Sequence, residues 1–211
     1  MDRKTRKPTQ KRSLEKYEKI IDAAFKLFNE KGYYNITTAD IAKEADVATG
    51  SVYSYFVDKK DIYIEIIKRI SKNIFEPSSD FWLQKGKLNF KDEENIKSLF
   101  KTFVKLMIGY HNFSKLFHDE MTALELLDED IAAIKKENYE ARTEGIRNIF
   151  KIMSIPFKSE EASDIFMHYC NLLIEDVCHQ ILYDKTTKNV DHYIEQVVDM
   201  LYKLLENLAD I

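Results

Sequence analysis

Apolar positions recur along this chain every three to four residues, which is the spacing of helices with one buried face. The first such series is Tyr17, Ile20, Ile21, Ala24, Phe25 and Phe28. Ser13 is placed to cap that helix and Gly32 to end it. Thr38 opens a short helix holding Ile41, Ala42 and Ala45, and a break follows at Asp46, Val47 and Ala48. A second short helix is predicted over about 49–56. Asp58 then caps a longer one with Ile62, Ile66, Ile67, Ile70 and Ile74 on one face. Glu76-Pro77-Ser78-Ser79-Asp80 interrupts the pattern. Helical rhythm resumes over 92–111, about 113–127, 128–153, 159–183 and 190–209, with breaks at Pro156 and in the polar stretch 184–189.

Composition supports an all-α reading. Five Gly and three Pro in 211 residues are too few for many short strands and tight turns. Cys170 and Cys178 are eight residues apart on one predicted helix. That is about 12 Å, too far for a disulfide, so both read as reduced core thiols. No apolar run reaches the roughly 18 residues of a membrane span. The basic N-terminus lacks a following apolar signal core. A cytoplasmic protein without membrane contact is therefore expected.

The net charge of −4 hides an asymmetry. Residues 1–72 hold 16 Lys/Arg and 11 Asp/Glu, a balance of +5, whereas the remainder holds 16 and 25, a balance of −9. A basic N-terminal third facing a polyanion, and an acidic remainder with another task, fit this distribution. Residues 1–12 carry six Lys/Arg against Asp2 alone and read as a disordered basic arm able to add salt-dependent affinity for nucleic acid.

The stretch 38–56 has the spacing of a helix-turn-helix, in which one helix braces and the next lies in a major groove. Ile41, Ala45, Val47 and Val52 can lock the two helices together. Gly50 leaves room for close backbone approach. Thr49 and Ser51 offer hydroxyls to bases or phosphates, and Tyr53 and Tyr55 offer phenols to phosphates. Thr38 at a helix N-terminus and Lys59 at the start of the next helix suit further phosphate contacts. Thr38, Thr49, Gly50, Ser51, Tyr53, Tyr55 and Lys59 are candidates for the DNA side, with Lys60 beside them able to neutralise a flanking phosphate.

The run from Thr37 to Ile62, with its Gly50-Ser51-Val52-Tyr53-Ser54-Tyr55-Phe56 core and Lys59, resembles the N-terminal signature of the tetracycline-repressor-like (TetR) family. The preceding Ala24-Phe25-Lys26-Leu27-Phe28-Asn29-Glu30-Lys31-Gly32-Tyr33 matches as well, so the resemblance covers residues 13–70. Asp46 departs from the family at the usual turn glycine, and Ala48 at a common capping serine. The resemblance implies about nine helices: a DNA-binding domain over 13–58, a linking helix over 59–75, and a ligand-binding and dimerisation domain over 76–211. It also implies a repressor released from a palindromic operator on double-stranded DNA by a small apolar or amphipathic effector. No cofactor, metal site or catalytic residue is expected.

In the C-terminal part, Phe103, Met107, Tyr110, His111, Phe166 and Cys170 are candidate walls of a ligand pocket. The stripes over 159–183 and 190–209 suit a four-helix homodimer interface. Two other functions compete with this one. One is a helical interaction adaptor. The other is a helical enzyme using His118 with Glu120 as acid and base, which no phosphate loop, nucleophile elbow or zinc motif supports.

Overall fold

The computed structural model describes residues 5, 8–71, 92–111, 113–184 and 189–211. Among these the chain is all-α, with nine α-helices, and its only β feature is an isolated bridge between Phe157 and Ala209. The helices are α1 (Lys11–Lys31), α2 (Thr38–Glu44), α3 (Thr49–Tyr55), α4 (59–71), α5 (Glu93–Tyr110), α6 (Lys115–Leu127), α7 (Glu129–Ile152), α8 (Glu160–His179) and α9 (Val190–Leu208). A turn of π-helix, Gln180–Asp184, extends α8. The expectations for residues 1–4, 6–7, 72–80 and 185–188 lie outside the described residues.

Of the predicted caps, Gly32 ends α1, and Asp58 and Ser159 each accept a backbone N–H at a helix start. Ser114, Ser159 and Asn189 accept from the third residue of their helices, and Asp92 from the second. One predicted helix start needs correction. Helix α1 begins at Lys11, with Gln10 as its N-cap, and the Ser13 hydroxyl donates to the Gln10 carbonyl at 2.8 Å instead of capping. Lys11 and Arg12 of the basic arm are therefore helical. Helix α2 opens at Thr38 as predicted, and Thr37 caps it through a reciprocal capping box with Asp40.

The chain packs as two compact units. Unit 1 joins Met1–Ser71 to Phe113–Glu137, and unit 2 joins Lys72–Asn112 to Asn138–Ile211. The N-terminal helices thus pack with α6 and the first turns of α7, although these lie within the 76–211 stretch of the sequence-based division. In unit 1, Phe117 is fully buried and its ring meets Phe25, Tyr63 and Phe113 at 5.5–5.6 Å. Ser114 ties α6 to the end of α1 by accepting nothing from it: its N–H and hydroxyl both donate to Asn29. Lys60 at the start of α4 bonds Asp128 and Asp130, at 3.0 and 2.7 Å.

Unit 2 has its own core, drawn from α5, α7, α8 and α9. Phe100, Phe150, Phe157 and Phe166 cluster with ring centroids 5.2–6.4 Å apart. Both cysteines are buried and free, and burial pushes each thiol up to about 12, so neither is a thiolate at neutral pH.

Candidate functional site

Helices α2 and α3 are held by the residues whose spacing predicted it. Ile41, Ala42, Ala45 and Val52 are buried, and Val47 is half-buried. The turn between them needs a positive φ at Asp46, where φ is +52°. A short polar side chain tolerates that conformation and a β-branched one does not. Asp46→Val is expected to cost about 1–2 kcal/mol, lowering the thermal midpoint by roughly 2–8 °C, whereas Asp46→Gly keeps it. Thermal unfolding of both variants checks this, and an unchanged midpoint for Asp46→Val would refute the argument.

The bracing leaves a polar surface outside. Thr49 and Gly50 are exposed, and Thr38 and Ser51 are half-buried. No side chain caps α3, as expected from alanine at its N-cap position 48. Nothing lies within 4 Å of where a Cβ on Gly50 would stand, so no internal packing demands glycine there. Tyr53 and Tyr55 are half-buried. Tyr55 packs edge-on against Tyr17, whose ring also stacks on Phe56 at 4.9 Å. The Tyr55 ring therefore has a packing role whatever its hydroxyl does.

Lys59 differs from the other six. Its ammonium donates to the carbonyls of Tyr33 and Ile36, at 2.5 and 2.8 Å, and lies 4.2 Å from the centre of the Tyr33 ring. Desolvation lowers its pKa. The side chain fastens the loop between α1 and α2, a task that the sequence reading missed. Glu120 of α6 acts on the same loop. Its carboxylate accepts the Tyr33 N–H and sits against Gly32, whose φ is +83°. Glu120, one half of the acid–base pair weighed from sequence, is thus engaged in holding backbone.

The six candidate pocket residues divide in unit 2. Phe103 and Cys170 line an apolar cavity of about 20 Å³ together with Leu99, Phe100, Ile146, Ile149 and Phe150. Met107 and Phe166 are buried in the core beside it. Tyr110 is half-buried. His111, at the end of α5, donates from Nδ1 to the Met107 carbonyl at 2.7 Å, and burial lowers its pKa.

Residues 20–66 match the family model described as bacterial regulatory proteins, tetR family. The fatty acid metabolism regulator protein of Bacillus subtilis (strain 168) is 31% identical over 123 residues, covering 58% of this chain and 59% of that protein. The chain thus matches less than two thirds of that relative's length. A crystal structure from Mesorhizobium loti MAFF303099, assigned to the TetR family of transcriptional regulators, superposes with a TM-score of 0.77 at 15% identity, covering 96% of this chain and 100% of that one. The transcriptional regulator FadR from Bacillus subtilis, solved with stearoyl-CoA, superposes with a TM-score of 0.58 at 20% identity, covering 90% and 97%. At such identities the structural likenesses establish a shared fold. Residues 20–66 thus match the tetR family of bacterial regulatory proteins, and the chain shares its all-α fold with the superposed structures.

Proposed function

We propose that this protein is a cytoplasmic, homodimeric transcription regulator that binds a palindromic operator on double-stranded DNA. We further propose that it is a repressor released by a small apolar or amphipathic ligand. The observation that carries the DNA reading is the outward face of α3. Thr49, Gly50 and Ser51 stand away from the apolar brace, on a helix short enough to enter a major groove end-first. Thr38, Tyr53 and Tyr55 are placed for phosphate contacts beside it, while Lys59 positions the loop that leads into α2.

Two features support the rest of the reading. On α8, Ile165, Tyr169 and Leu172 follow at helical spacing and are 38–52% exposed, and Met200 on α9 is 48% exposed. A row of large apolar side chains in water favours burial against a second copy, and a dimer supplies the paired half-sites that specific recognition needs. The cavity at Phe103 and Cys170 would admit a body the size of roughly one water, whereas ligand pockets span roughly 300–1,000 Å³. Effector entry therefore requires the helices of unit 2 to spread. The chain passes between the units at 71/72, 112/113 and, inside α7, at 137/138, so a change in one has covalent routes to the other.

Selecting binding sites from random DNA tests this reading. The expected product is a palindrome bound with an affinity that falls as salt rises. A double change, Tyr169→Glu with Leu172→Glu, should dissociate the dimer and weaken operator binding by at least about tenfold, roughly 1.4 kcal/mol. Failure to prefer any selected sequence over random DNA would sink the proposal.

A further inference from the structure

Unit 2 contains buried polar atoms that its own packing leaves unsatisfied. Arg142 Nε and Asn138 Nδ2, both on α7, are shielded from solvent and meet no hydrogen-bond partner among the described residues. Buried donors are nearly always paired, because leaving one unpaired costs about 1–3 kcal/mol. The ion pair open to Arg142 is a poor one: Nη2 lies 3.7 Å from Glu175 Oε2, and the rest of the guanidinium sits 5.6 Å from the centre of the Tyr139 ring. The neighbouring His111 adds no fixed positive charge. The ring of His111 lies 6.1 Å from that of His179, and burial keeps His111 on its neutral side. Arg142 is thus a partly buried cation with a free donor.

Its place along α7 gives that donor a context. Asn138, Arg142, Ile146 and Phe150 follow at four-residue intervals and so share one face of the helix. The face is polar at its start and apolar at its end, where Ile146 and Phe150 line the small cavity with Phe103 and Cys170. The charge of Arg142 also acts on the thiols of Cys170 and Cys178, which puts the guanidinium beside the same stretch of α8. The end of this helix face thus borders an apolar cavity, and its start carries donors that lack an acceptor.

We propose that the effector of unit 2 is an amphipathic monoanion whose carboxylate docks on Arg142 and Asn138 while its hydrocarbon tail opens the chamber between Phe103, Ile146, Ile149 and Cys170. This rests on the reading of unit 2 as the effector domain. One cation, already shared in part with Glu175, balances a single negative charge better than a double one. A planar carboxylate matches the fork of a guanidinium.

Titration calorimetry on the full-length protein with decanoate, decanol and decyltrimethylammonium, each below its micelle concentration, tests the assignment. Decanoate is expected to bind at least about tenfold tighter than decanol, the return on one charge-assisted hydrogen bond, and the cation weakest. Arg142→Met should reduce decanoate to the affinity of decanol and leave decanol unchanged, while Arg142→Lys keeps part of the preference. Without ligand, Arg142→Met should not lower the thermal midpoint, since it removes an incompletely paired charge. Equal binding of decanoate and decanol by the unaltered protein overturns the acidic-head assignment and leaves the effector reading standing. A preference for decanoate that survives Arg142→Met combined with Asn138→Leu overturns it too. If none of the three binds, the effector reading itself fails, and this assignment with it.

Discussion

Replacing Gly50 with Glu is expected to weaken binding to the selected operator by about a hundredfold or more while leaving the fold intact. The two effects separate because position 50 faces open space, with nothing within 4 Å of an added Cβ. For folding, the change is neutral or helpful. Glycine costs a helix about 0.5–1 kcal/mol relative to alanine, and a carboxylate in the first turn of α3 complements the helix dipole. For docking it is adverse twice over. The new side chain holds the backbone away from the groove and sets a negative charge against DNA, and like charges brought together cost several kcal/mol. Gly50→Ala serves as the control for bulk alone, with a smaller loss of affinity. Anisotropy titration with the operator, alongside thermal unfolding, checks both arms. Full affinity in Gly50→Glu would mean that the exposed end of α3 does not meet DNA.

Gly32→Ala is expected to be the most destabilising single-methyl change in unit 1. Gly32 has φ +83° and ψ 163°, a region essentially reserved for glycine, and holding another residue there costs about 1–3 kcal/mol. The added Cβ would also stand 2.5 and 2.8 Å from the two carboxylate oxygens of Glu120. Glu120 must then move and give up the Tyr33 N–H, a charge-assisted bond worth about 1.5–3 kcal/mol. The sum, about 2.5–6 kcal/mol, corresponds to a midpoint lowered by roughly 10 °C or more in a chain of this size. Glu120→Ala alone loses the bond, and the double variant should fall short of the sum of the two single changes, because no carboxylate then remains to be displaced. Strict additivity in that cycle would show that Gly32 and Glu120 do not share one contact.

The division between what was legible and what was not follows from the range of the interactions involved. Helix rhythm, the stop at Gly32, the cap at Asp58, the turn at Asp46 and the brace of Ile41, Ala45 and Val52 all depend on residues within a few positions of one another, so their spacing carries them. The N-cap of α1 lies three residues before the predicted Ser13, at Gln10, because no side-chain bond marks that helix start. Lys59 was legible as a lysine in the right place, but not as one turned toward the carbonyls of Tyr33 and Ile36, 23 to 26 residues earlier.

By itself, then, the sequence determined an all-α chain with a helix-turn-helix near its start, because periodicity and turn chemistry are local. Tertiary structure alone decided that α6 packs with the N-terminal helices, that Glu120 holds the loop after Gly32, and that Arg142 is buried with a donor unmet. Those outcomes depend on which distant side chains share a space. Many pairings satisfy the same pattern of apolar positions, and only packing the whole chain selects one of them.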